Sequence, residues 1–459
     1  MSNQPEFLWG AATSSHQIEG NNIYNDWWAW EQLGKVENKE VSGRSTDHWN
    51  LFKEDLNLAH ELGLNAYRFS IEWSRIEPSE GNWDLRAMEW YRELVFECER
   101  LQLKPMVTLH HFTSPLWFTE KGGFLQSNST EKFLNYVDKV VSVIGERVPL
   151  WCTFNEPMVL AVGQYLGSFM PPGEFQPEKV SQVSYQLLKS HVRTYDLIHR
   201  KVKNRKGPWA REPLQVGIAN NMVDFFPSRR WHPIERILSL FCHRFFNLSW
   251  LEAITGQKQN FGVPWLIPSV PQVNEALGRL TCDYLGINYY TKGYLNWRPA
   301  RDFEADFPVQ VKFSKTTEEK SDLDWAIHPT GIGKMIRQAK SYGLPIYITE
   351  NGIADRMDRQ RGKYIVQHLI EIAREIEQGA SVQGYFYWSL LDNFEWIKGY
   401  GPRFGLIEVD YSTLNRIVRP SARMFSELVS MHRAYFKRPH LPILKGFLSQ
   451  NRSGVRLVQ

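Results

Sequence analysis

Two glutamates stand where a carboxyl group would be held at the end of a strand. Glu156 follows the strand-like run 150–155, within Thr153-Phe-Asn-Glu-Pro157, and Glu350 closes another at 345–350. Two carboxyl groups facing one bond suit the cleavage of a glycosidic linkage, where one protonates the leaving oxygen and the other attacks the anomeric carbon. Other polar residues close strand-like runs in the same way: His110-His111 and Asn288-Tyr289-Tyr290. Aromatic residues make up 14% of the chain, with 18 tryptophans, and Trp27, Trp28, Trp325, Trp388 and Trp396 fall near predicted strand ends. Indole faces pack on the flat C–H faces of sugar rings. Most tryptophans are also ordinary core residues, so position alone does not separate the two readings.

The elements that would position these groups alternate along the chain. Residues 50–63 read as an amphipathic helix, with Phe52, Leu56, Ala59 and Leu62 on one face and Gly63 as its stop. In the following run, 65–71, Tyr67, Phe69 and Ile71 point one way and Arg68 and Ser70 the other. An apolar outer face and a polar inner face fit a barrel whose lumen leads to a site. Predicted strands at 8–13, 65–71, 104–110, 150–155, 215–219, 284–288, 345–350 and 384–389 alternate with helical stretches. Eight such units predict one α/β domain, a (β/α)₈ TIM barrel, over residues 1–439. A doubly wound open sheet is the structural alternative, but no G-x-G-x-x-G turn is present. The charged stretch 298–324 reads as a long loop after the sixth strand, and 440–459 as a tail without an assigned role.

Bulk composition removes several function classes. A chain of 459 residues with 42% hydrophobic and 23% charged residues is globular. Its formal charge is +4, and the basic stretch 200–206 carries no recognition motif, so no nucleic-acid partner is expected. Cys98, Cys152, Cys242 and Cys282 lack metal-type spacing and are expected to be mostly reduced core thiols; no metal or cofactor is called for. The opening residues MSNQPEF show no signal pattern, and no apolar run reaches the roughly 18 residues of a membrane span. A cytoplasmic enzyme with no membrane partner is the expectation.

Six segments, in order along the chain, resemble glycoside hydrolase family 1, the β-glucosidase and β-galactosidase family of retaining barrel enzymes. They are Phe7-Leu-Trp-Gly-Ala-Ala-Thr-Ser-Ser-His-Gln-Ile-Glu-Gly20, Tyr67-Arg-Phe-Ser-Ile71, Thr153-Phe-Asn-Glu-Pro157, Asn288-Tyr-Tyr290, Ile348-Thr-Glu-Asn-Gly352 and Trp388-Ser-Leu-Leu-Asp-Asn-Phe-Glu-Trp396. The resemblance implies Glu156 as acid/base and Glu350 as nucleophile, about 5–5.5 Å apart as retention requires. It implies Asn155 on the sugar 2-OH, Arg68 beside Glu350, and Tyr290 in contact with the nucleophile. Gln17, His111, Asn288, Glu395 and Trp396 fall to substrate binding, Trp388 to the stacking floor and Trp325 to the aglycone side. The substrate implied is a small β-glucoside or oligosaccharide.

Two segments depart from the family pattern. His111-Phe112-Thr113 replaces the usual His-Trp-Asp, losing an indole N–H, and Asn25-Asp-Trp-Trp-Ala-Trp30 differs at the expected entrance. A carboxylate at Glu395 would repel phosphate, which favours an unphosphorylated sugar over a 6-phospho-glycoside. A non-catalytic sugar-binding barrel would have lost one or both glutamates, and a thioglucosidase-like enzyme would carry glutamine at 156. Transglycosylation through the same intermediate stays open.

Overall fold

The computed structural model describes residues 6–263, 266–299 and 308–436. Eight parallel strands close a barrel: β1 (Leu8–Ala12), β2 (Ala66–Ser70), β3 (Lys104–His110), β4 (Leu150–Asn155), β5 (Gln215–Asn221), β6 (Tyr284–Asn288), β7 (Ile346–Asn351) and β8 (Val382–Trp388). Each pairs with its sequence neighbours, and β1 closes on β8 from Leu8↔Gly384 to Ala12↔Trp388. The predicted (β/α)₈ barrel is the observed one, so closure leaves no open sheet edge.

The alternation read from the sequence explains which way each strand faces. Tyr67, Phe69, Val107, Leu109, Trp151, Ile218, Ile287 and Ile348 point outward into one continuous apolar layer beneath the helices. Leu8, Ala66, Met106, Leu150, Tyr284, Tyr347 and Phe386 fill the lumen below the site. A polar side chain on an inner position above that plug is buried without being in contact with the outer helices. Arg68 is such a residue, and it is fully buried.

Helices His48–Glu61, Leu85–Arg100, Ser129–Ile144 and Pro177–Lys201 connect the first five strands, and Pro329–Lys340, Arg361–Glu377 and Pro420–Phe436 cover the last three. The first predicted helix begins two residues earlier than its apolar face implied, and Gly63 follows it with φ of +75°, a stop that costs glycine little. Asp84 caps the second by accepting from the N–H groups of Arg86 and Ala87. Cys98, Cys152, Cys242 and Cys282 are all free thiols. Two lysines of the basic stretch are paired within the molecule: Lys201 binds Asp138 and Lys206 binds Glu146.

One expectation fails. The stretch 298–324 is not wholly a loop, because Val309–Lys312 pairs antiparallel with Lys292–Trp297, which itself lies beside Asp224–Pro227. This small sheet continues directly from the C-terminal ends of β5 and β6. Its middle strand carries Leu295, which is fully buried. Residues 300–307 and the whole predicted tail, 440–459, lie outside the described residues. Among the described residues no helix is long and apolar enough to cross a membrane.

The turn after β7 shows why Gly352 ends its motif. A Cβ there would sit 1.8 Å from the backbone oxygen of Trp388, and backbone cannot rotate away as a side chain can. Gly352→Ala is expected to cost at least ~2 kcal/mol by forcing β7 and β8 apart. A shift in the chemical-denaturation midpoint, compared with Gly401→Ala, whose added methyl would meet only Lys398 O at 3.6 Å, measures it.

Candidate active site

The C-terminal rim of the barrel brings the predicted residues together in one network of hydrogen bonds and ring contacts. Arg68 comes from β2, His111 from the turn after β3, Asn155 and Glu156 from β4, Asn288 and Tyr290 from β6, Glu350 from β7 and Trp388 from β8. Gln17 arrives from the short helix after β1, and Glu395 and Trp396 from the loop after β8. Glu156 (φ 46°), Phe112 (φ 71°) and Trp396 (φ 51°) occupy the left-handed region, a local strain that the surrounding bonds must hold.

The two glutamates are buried but differently surrounded. Glu350 Oε1 accepts from Arg68 Nη1 at 2.5 Å, and Oε2 accepts from the Tyr290 hydroxyl at 2.5 Å. Burial opposes the charge on Arg68, but the Glu350 carboxylate overrides it and raises the guanidinium pKa above its ordinary value. Among the described residues no cation is in contact with Glu156. Its Oε1 accepts from the amides of Asn288 (2.8 Å) and Asn221 (2.9 Å). Burial first, and then the charge of Glu350, push its carboxyl up to about 8, against those amide donors.

A chain of side chains joins the two. Asn155 Oδ1 accepts from Arg68 Nη2 (2.7 Å) and from Asn288 Nδ2 (3.1 Å), and Thr349 donates to Asn288 Oδ1 at 2.6 Å. Two donors on one oxygen fix the orientation of the Asn155 amide, so its Nδ2 turns toward His111 Nε2 at 3.1 Å. Burial, followed by Arg68 and His110, holds His111 well below its usual pKa, so the ring is neutral. A neutral ring accepting at Nε2 carries its proton on Nδ1, which finds no partner among the described residues. A buried donor without a partner is costly, and a ligand hydroxyl would relieve it.

The aromatic wall is a column of rings. Trp388 stacks on His111 (5.9 Å, 22°), His111 on Trp396 (6.1 Å, 18°), and Trp396 on His16 (5.8 Å, 10°). Phe112 meets Trp396 edge-on at 5.3 Å, so the substituted position still closes the wall without an N–H. Trp27 packs behind Trp396 at 4.7 Å, which places the divergent segment behind the pocket. His16 ends the column, bound to Glu31 at 2.7 Å, with Asn25 between it and Glu72. Trp325 is half-buried on the other side, 5.8 Å from Tyr290.

Gln17 lies deeper than a rim residue. Its Nε2 donates to Asn393 Oδ1 (3.0 Å) and Phe394 O (2.9 Å) and lies 3.5 Å from Glu395 Oε2, so it ties down the loop that carries Glu395. Glu395 is itself pushed up to about 8, by burial and then by Glu350. The sequence argument that a carboxylate here repels phosphate therefore weakens, since much of that charge is absent at neutral pH.

Sequence reasoning missed three contributors. Asn221 lies two residues past the predicted end of β5, where the polar pair Asn220-Asn221 was the available signal. Thr349 and Asn25 act by orienting others and carry no mark of their own.

Comparisons with known proteins now give this geometry a family. The sequence profile described as glycosyl hydrolase family 1 matches residues 2–434. β-Glucosidase A from Thermotoga maritima is 32% identical over 448 residues, covering 92% of this chain and 96% of that protein. The structure of Thermotoga maritima β-glucosidase in complex with glucoimidazole superimposes with a TM-score of 0.83 at 30% identity, over 93% and 98% of the two chains. The β-glycosidase from Pyrococcus horikoshii reaches 41% identity and a TM-score of 0.80, over 93% and 94%. A 6-phospho-β-galactosidase from Streptococcus equi is 31% identical over 93% of this chain and 97% of that one. The chain belongs to glycosyl hydrolase family 1 and is a β-glycosidase with the TIM-barrel fold.

Proposed function

We propose that the chain hydrolyses terminal non-reducing β-D-glucosyl residues with retention, Glu350 acting as nucleophile and Glu156 as acid/base. Galactosyl and fucosyl glycosides are the further glycones in reach, since they differ from glucosyl by single hydroxyls. The observation that carries the assignment is the unequal surroundings of the two glutamates. Arg68 and Tyr290 hold Glu350 ready to attack, whereas burial and the neighbouring charge keep Glu156 protonated at neutral pH.

In the first step Glu350 forms a bond to the anomeric carbon while Glu156 gives its proton to the departing glycosidic oxygen. Esterification removes the charge on Glu350 that had raised the pKa of Glu156. Glu156 then becomes the stronger acid, and its carboxylate takes a proton from water. That water attacks the same carbon, the ester bond breaks, and a sugar of unchanged anomeric configuration leaves. Asn155 and His111 present N–H groups toward the glycone, with Asn155 on the 2-OH, Gln17 and Asn288 backing the polar wall, and Trp388 below the ring. Trp325 lines the side where the aglycone departs. Proton NMR of the first product tests this: β-glucose is expected, and α-glucose would overturn retention.

Glu395 is assigned to the outer hydroxyls of the sugar. Glu395→Ser should lower kcat/KM for nitrophenyl β-glucoside by about 10-fold, the scale of a lost hydrogen bond to a largely protonated carboxyl. An unchanged rate removes Glu395 from the glycone site. The wild-type enzyme assayed on a 6-phosphorylated glucoside addresses the phosphorylated alternative, which would need faster turnover of that substrate than of the free glucoside.

A further inference from the structure

Helix Pro233–Cys242 carries apolar side chains on its outer face as well as on the inner one, where Phe241 packs against the core. Its buried side chains are Glu235 and Ser239, while Ile237 is 67% and Leu240 73% exposed, with Ile234 beside them. Trp231, just ahead of the helix, is 75% exposed. The orientation is bonded in place. Glu235 accepts from Arg229 Nη2 (2.6 Å) and from the backbone N–H groups of Arg229 and Trp297, and Ser239 donates to the Glu235 carbonyl at 2.8 Å. Rotating the apolar stripe inward would break the bonds that Arg229 and Trp297 make to the Glu235 carboxylate, while the Ser239 bond lies within the helix and would turn with it. A surface helix ordinarily turns its apolar stripe to the core, and a contiguous outward stripe marks a contact with something else.

The charge around the stripe says with what. Arg230 and Arg236 are exposed, and neither has an acidic partner among the described residues. The one acid of the helix, Glu235, is buried and already paired with Arg229. A second copy packed on this face about a two-fold axis would bring the unpaired arginines of both chains together. Anionic headgroups complement them, and a tryptophan beside arginines suits the depth where headgroup meets acyl chain.

We propose that Trp231 and helix Pro233–Cys242 form a peripheral docking face for an anionic lipid surface. The sequence excluded a membrane partner because no segment spans a bilayer, but a helix lying in the interface needs no span. The helix rests on the small sheet that extends β5 and β6 beyond the ends carrying Asn221 and Asn288, so the docking face is on the same side of the barrel as the active-site mouth.

Sedimentation of the full chain with vesicles tests the proposal. Binding to phosphatidylglycerol vesicles should exceed binding to phosphatidylcholine vesicles at least tenfold, and should fall as salt screens the arginines. An Ile237→Glu/Leu240→Glu variant should lose at least tenfold in binding while its turnover of nitrophenyl β-glucoside stays unchanged, since neither residue touches the site. Arg230→Gln/Arg236→Gln should weaken binding to phosphatidylglycerol alone. Equal partition onto both lipids overturns the proposal, as does undiminished binding by the glutamate variant. So does a wild-type dimer in solution that the same variant dissociates, which would assign the face to a second copy.

Discussion

Glu350→Ala is expected to lower kcat for a nitrophenyl β-glucoside by on the order of 10⁵-fold, with part of the activity restored by azide. The fall is large because the variant loses the attacking oxygen and also leaves Arg68 buried with its charge uncompensated. The same loss explains the rescue. Removing the carboxylate opens a space lined by Arg68 and Tyr290, whose N–H and O–H groups had both donated to Glu350. A small anion is the ligand such a space accepts, and azide bound there faces the anomeric carbon from the side Glu350 had occupied. The product should be the α-glycosyl azide. A β-glycosyl azide would exchange the roles of Glu350 and Glu156.

The second large effect is on pH. Glu156 works as an acid only while protonated, and its carboxyl is pushed up to about 8. The sign follows directly: below about 8 the proton is present, and as pH rises through that value kcat/KM falls. Glu395 is pushed to the same region, so two groups titrate together there. Variants separate them. Glu395→Gln should keep the alkaline limb near pH 8, whereas Glu156→Gln should remove it and slow alkyl glucoside cleavage by about 10²–10⁴-fold. A dinitrophenyl glucoside, whose leaving group needs no proton, should lose far less in its first step. An alkaline limb that survives in Glu156→Gln would take the acid role away from Glu156.

Much of the fold was readable because the barrel repeats one pattern. Predicted strands 104–110, 150–155 and 284–288 coincide with β3, β4 and β6, since apolar outer residues alternate there with inner ones up to the rim. β5 runs on to Asn221 because Asn220 and Asn221 keep their ladder pairing with Ile287 and Asn288 although their side chains are polar. The small sheet went unseen for a related reason. Val309–Lys312 sits in a charged stretch, and its pairing partner is fixed by tertiary contact rather than by its own composition.

The site divides in the same way. Residues with chemistry of their own, such as Glu156, Glu350 and Arg68, stand out by type and position at strand ends. What escaped notice was the state and orientation of groups: the raised pKa of Glu395, the fixed amide of Asn155, and the unpartnered Nδ1 of His111. Each depends on burial and on neighbours distant in sequence, quantities that no local window contains.

The ion pair between Arg68 and Glu350 joins residues 282 positions apart, and that separation bears on how activity is acquired during folding. A contact of such range forms only once the entropy of closing a large loop has been overcome. A partly formed barrel ending at β6 would already hold Glu156, Asn155 and Asn288, yet it would have no nucleophile and a bare cation in its lumen. Hydrolysis therefore requires β7 in place within the closed barrel, so turnover reports on the completed sheet and not on any part of it.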